Sequence, residues 1–133
     1  MYRLVSAILA GSLLVASGYA DDGPDKDELQ VRVRFRLTDD VRVIGILTSW
    51  DENGVDGSFG ARGWDELRTE DVWRLYRSLM DRDDPTQWLA LGRVLLEIGD
   101  EDALEWGEEA LTLALRLDPE QEATAAIIRT EAA

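Results

Sequence analysis

The chain has 133 residues, 28 acidic against 14 basic side chains for a formal net charge of −14, and neither Cys nor His. It therefore lacks a thiol nucleophile, an imidazole base and the commonest zinc ligands. The acid excess disfavours nucleic acid and anionic lipid surfaces as partners, because both attract basic patches.

Residues 1–20 read as a signal peptide. Arg3 supplies the positive start, Leu4 to Ala16 is an apolar run, and Gly18-Tyr19-Ala20 places small residues at the cleavage positions. The run is short for a membrane span, which needs ~20 apolar residues. No Cys follows it, which excludes a bacterial lipid anchor. The expectation is a protein exported to the periplasm or secreted, with no stable membrane anchor after cleavage. Residues 21–28, DDGPDKDE, are charged and polar and read as a flexible leader.

Residues 29–68 predict a β unit. Val31, Val33, Phe35 and Leu37 alternate with Arg32, Arg34 and Arg36, the period of a half-buried strand. Thr38-Asp39-Asp40 predicts a turn and Val41 to Trp50 a second strand, with Gly45 marking a bulge or bend. Asp51-Glu52-Asn53-Gly54 predicts a hairpin, since Asn-Gly adopts positive φ at little cost. A calcium loop fails here: counted from Asp51, positions five, six and twelve are Val55, Asp56 and Arg62. Trp64 to Leu67 predicts a last short strand, with Trp50 and Trp64 closing one end of the unit.

Residues 69–133 predict helices. Thr69 is the expected cap of a helix carrying Val72, Leu75, Tyr76 and Leu79 at helical spacing. Asp84-Pro85 predicts the next start, Trp88, Leu91 and Leu95 its apolar face, and Gly99 its end. Asp100 or Glu101 opens a third helix with Leu104, Leu111 and Leu115 on one stripe. Asp118-Pro119 stops it, and Glu120 to Ala133 predicts a short final helix.

Trp88, Leu91, Gly92 and Leu95 resemble the first helix of a tetratricopeptide (TPR) repeat, and Ala103, Ala110 and Leu117-Asp118-Pro119 its second helix and terminator. One repeat fits; its turn is about one residue short, and Gly107 stands in the usual aromatic slot. The strands with their Asp-x-Asn-Gly turn resemble small SH3-like or Sm-like barrels. Together the resemblances imply an α+β fold: an antiparallel β-meander or partly open small barrel packed on a TPR-like helical hairpin. Such barrels serve as binding and assembly modules, so that resemblance implies interaction rather than catalysis.

Two residue sets are candidate binding sites. Trp73, Tyr76, Trp88 and Trp106 would line a groove for a partner segment, or else fill the seams where helices meet. Arg32, Arg34, Arg36 and Arg42 would form a basic face for an anionic or polysaccharide ligand, or else pair with Asp and Glu across the sheet. The carboxylate pairs Asp65/Glu66 and Asp51/Asp56 lack the cleft that glycoside hydrolysis needs. Asp81, Asp83 and Asp84 are explained by a capped helix start without an ion. No catalytic residue, cofactor or metal ligand is expected. The expected role is a non-catalytic interaction or assembly module of the bacterial cell envelope, with another envelope protein or peptide as partner. The alternative is a module for an anionic or polysaccharide ligand.

Overall fold

The computed structural model describes residues 29–132, so the expected signal peptide and leader lie outside the described residues. Among these residues, four strands form one open antiparallel sheet in the order β1-β2-β3-β4. They are β1 (Val31–Arg36), β2 (Arg42–Asp51), β3 (Gly54–Gly57) and β4 (Arg62–Gly63). Four helices follow: α1 (Thr69–Leu79), α2 (Pro85–Ile98), α3 (Glu101–Leu117) and α4 (Glu122–Ala132).

In β1 the alternation buries Val33 and Phe35 and exposes Arg32 and Arg34. Val31 departs from it and is exposed, because no strand lies beyond β1 to cover it. The predicted turn is present, with Asp40 at φ 70°. The predicted hairpin is present too, pairing Asp51 with Gly54, but its chemistry differs from the expectation. Neither Asn53 nor Gly54 takes a positive φ. Instead the Asp51 carboxylate accepts the amides of Asn53 (2.7 Å) and Gly54 (3.2 Å), and this aspartate fixes the turn. The bulge in β2 falls between Leu47 and Ser49 rather than at Gly45. Gly45 pairs regularly with Val33, and its missing side chain leaves room for Ser58 and Phe59.

The last strand comes two residues earlier than predicted. Trp64–Glu66 forms a 3-10 turn, because Glu66 reaches back to accept the Gly63 amide at 2.9 Å. Leu67 then bridges to Leu37. The amide of Thr38 donates to Glu66 (2.9 Å) and that of Arg68 to Arg36 (2.8 Å). This stitch returns the chain to β1 before α1 begins. Thr69 is the first residue of α1 and not its cap; its hydroxyl donates to the Asp100 carboxylate. Asp100 also accepts the Ala103 amide at 2.8 Å, so one side chain caps α3 and tethers α1.

Asp84, Pro85 and left-handed Gly99 delimit α2 as predicted. This helix is apolar nearly all round, burying Leu89, Leu91, Val94, Leu95 and Leu96, as a central helix must. It crosses α3 closely at Gly92 and Gly107. A Cβ on Gly92 would stand 2.7 Å from Leu111 Cδ2 and 3.2 Å from the Gly107 carbonyl. That approach selects Ala103, Gly107, Ala110, Leu111 and Ala114 as the buried stripe of α3. The expected leucine stripe is therefore only partly right: Leu111 is fully buried, Leu115 half-buried and Leu104 46% exposed. Helix α4 packs Ala125 and Ile128 inward. One continuous apolar core joins sheet and helices. No helix among the described residues is long and apolar enough to cross a membrane.

Candidate binding surface

The four aromatic candidates do not form one groove. They fall into two clusters that diverge from neighbouring positions of α1. Tyr76 faces the sheet, with its ring 5.1 Å from Trp50 and 5.0 Å from Trp64. The indole of Trp64 donates to the Asp51 carbonyl at 2.8 Å, which ties this cluster to the hairpin. Burial raises the Tyr76 pKa above the usual phenol value, and the negative charges of Glu52 and Asp51 add to the effect.

Trp73 faces the helices. It stacks on Trp106 at 5.8 Å and 11°, and lies 6.3 Å from Trp88. The Arg77 guanidinium sits over the Trp73 ring, 4.3 Å from its centroid. Trp88 is buried, and its indole donates to the Arg82 carbonyl at 2.8 Å. The Trp73 ring thus has Trp106 and Arg77 against it, and the chain's own side chains fill the space the expected groove would use.

The arginine candidates do share a face. Across β1 and β2, Arg36 pairs with Arg42, Arg34 with Ile44 and Arg32 with Ile46. The Asp and Glu partners anticipated across the sheet are absent from this register. Compensating charge comes from α1. Asp71, only 7% exposed, accepts the Arg36 amide (2.8 Å) and guanidinium groups of Arg74 (3.2 Å) and Arg36 (3.5 Å). Arg74 also donates to the Arg34 carbonyl at 2.8 Å. Among the described residues, no carboxylate lies within ion-pair distance of Arg32, Arg34 or Arg42.

Arg34, Arg36, Arg42 and Arg74 line a shallow cavity of about 490 Å³ together with Asp71 and Ile44. Arg32 lies further along β1, outside the lining. Ile44, in that lining, is 66% exposed. The cavity therefore offers planar guanidinium donors suited to a carboxylate, phosphate or sulfate, beside an apolar wall. Sequence reading missed Arg74. Its signal was the spacing to Asp71, three residues earlier on the helix.

Of the other acids singled out by the sequence, Asp51, Glu66, Asp81 and Asp84 have structural partners. Asp51 holds its turn, Asp81 accepts the Asp83 amide at 2.9 Å, and Asp84 accepts from the amide and hydroxyl of Thr86. Among the described residues, no group of three or more acids could hold a metal ion. No protein-family model matches this chain, and no curated protein or solved structure is significantly similar to it.

Proposed function

We propose that this protein is a non-catalytic interaction module of the bacterial cell envelope that binds an anionic polypeptide through its arginine-lined sheet face. The observation that carries this reading is the convergence of Arg34, Arg36, Arg42 and Arg74 on one cavity beside exposed Ile44. Asp71 pairs with Arg36 and Arg74, and Glu70 also reaches Arg36, while Arg34 and Arg42 keep their positive charge for a ligand. The partner site moves from the Trp set to the arginine set, because Trp73, Trp88 and Trp106 are occupied with one another. In this reading the meander, stitched back to β1 at Leu37–Leu67, is the SH3-like part, and the close α2–α3 pair is the TPR-like part that supports it. Export rests on the signal-like residues 1–20.

A polypeptide suits the face better than a polysaccharide. Exposed Ile44 and Ile46 lie directly across from Arg34 and Arg32 on this face. Phe35, the aromatic residue of the cavity lining, is buried, so no exposed ring stands there to stack on a sugar. The test is binding of poly-glutamate and of polygalacturonate to the purified protein and to the Arg34→Glu/Arg42→Glu variant. Poly-glutamate should bind the parent, weaken with salt and lose the variant, whose exposed substitutions should leave the melting temperature unchanged. Binding of polygalacturonate alone would transfer the site to a polysaccharide. Binding of neither polymer would refute an anion site on this face.

A further inference from the structure

We infer that the Val31–Arg34 edge of β1 accepts an extended acidic segment of another polypeptide as a fifth strand. This rests on the reading of the arginine face as a polypeptide site and specifies how the segment is held.

β1 is an edge strand of the sheet. The Leu37 amide donates to Val41 of the β2 side at 2.9 Å, and the Leu29 amide donates to Thr48 at 3.3 Å. In an antiparallel ladder residues two apart share one direction, so odd residues of β1 bond β2 and even residues aim their backbone groups outward. The outward groups at the far half are taken. Arg36 N–H donates to Asp71, Arg36 carbonyl accepts from Arg68 N–H, and Arg34 carbonyl accepts from Arg74. The near half is open. Arg32 N–H, Arg32 carbonyl and Arg34 N–H have no partner among the described residues. Leu29 and Val31, on the other face, are each 37% exposed beside that open edge.

These features define the occupant. A basic edge repels basic strands, and a second copy of β1 would set arginine against arginine. An acidic strand reverses that sign. Acids opposite Arg32 and Arg34 meet guanidinium groups that no described carboxylate pairs. Apolar residues opposite Leu29 and Val31 cover the side chains left bare at the edge. The recognised pattern is thus alternating acidic and apolar, with main-chain hydrogen bonds to Arg32 and Arg34.

The probe is an end-blocked, fluorescein-labelled peptide of alternating Asp and Val, added to the purified protein. Anisotropy reads binding, and amide hydrogen exchange followed by NMR reads the edge. The peptide should bind, and it should slow exchange of the Arg32 and Arg34 amides by at least about tenfold, the scale of one added backbone hydrogen bond. Contact through side chains alone would leave those amides exchanging as before, and that result overturns the fifth strand. So does failure of the peptide to bind while poly-glutamate still does, which leaves the arginine-face reading standing. Failure of both probes overturns the two together. As a second variant, Arg32→Pro removes an outward amide that β2 does not use. It should bind the peptide at least about tenfold more weakly than Arg32→Ala, which loses the same charge. Equal affinities count against the strand.

Discussion

Substituting Gly92→Ala isolates the close crossing of α2 and α3. Replacing a mid-helix glycine by alanine should stabilise a helix by about 1 kcal/mol on propensity alone. Here the added methyl would stand 2.7 Å from Leu111 Cδ2, 3.0 Å from its Cγ and 3.2 Å from the Gly107 carbonyl. Leu111 is fully buried, so it has no solvent to move into, and the carbonyl belongs to a helix backbone. Overpacking of this kind costs about 1–3 kcal/mol. The overpacking should prevail by about 1 kcal/mol, which lowers the melting temperature of a domain this size by about 4–8 °C. Gly107→Ala should behave alike, since its methyl would meet Leu96 Cδ2 at 2.8 Å. The double variant should cost less than the sum, because helices already parted by the first methyl have room for the second. Thermal melting by circular dichroism reads all three. An unchanged or raised melting temperature in Gly92→Ala would refute the claim that small residues are required at this crossing.

Three further outcomes are expected. Trp88→Ala should destabilise by about 3–5 kcal/mol in denaturant titration, since it empties a buried site and orphans the Arg82 carbonyl; a loss below about 1 kcal/mol would contradict the burial. Tyr76 has its pKa raised by burial, so its contribution is complete below the ordinary phenol value of 10.0 and is lost as pH rises above it. Tyr76→Phe should flatten the alkaline limb of the stability profile, and an unaltered limb would point to other groups. Asp51→Asn should melt identically with calcium or chelator, because Asp51 accepts turn amides and no cation is needed; a calcium-dependent shift would overturn the assignment.

The punctuation of the fold was legible where one residue decides the geometry. Asp84-Pro85 opens α2, Gly99 closes it, and Asp51 to Gly54 makes the hairpin. What the sequence hid was set by partners distant along the chain. Leu104, Leu111 and Leu115 satisfy a helical period, and so do Ala103, Gly107, Ala110 and Ala114. Only the approach of α2 at Gly92 decides which stripe turns inward. Helical spacing alone groups the aromatic candidates, because it does not show which neighbours α1 meets. Trp73 and Tyr76 are neighbours on it, one turn apart, yet their rings meet different partners, Trp106 and Trp50. The arginines lie on two adjacent strands, as their alternation predicts. Their compensation was not legible, because Asp71 lies 35 residues from Arg36 in sequence and reaches it only once α1 docks.

Helix α1 has a consequence for how the molecule opens. Its Tyr76 ring completes the packing under the sheet, while its Trp73 ring lies against Trp88 and Trp106. Lifting the sheet bares Tyr76, and lifting the helices bares Trp73, so neither half can detach and keep its own interior dry. Sheet and helices should therefore belong to a single cooperative unit, with amides in β1 and α2 reporting the same opening free energy. A proteolytic nick after α1 would release no stable fragment on either side.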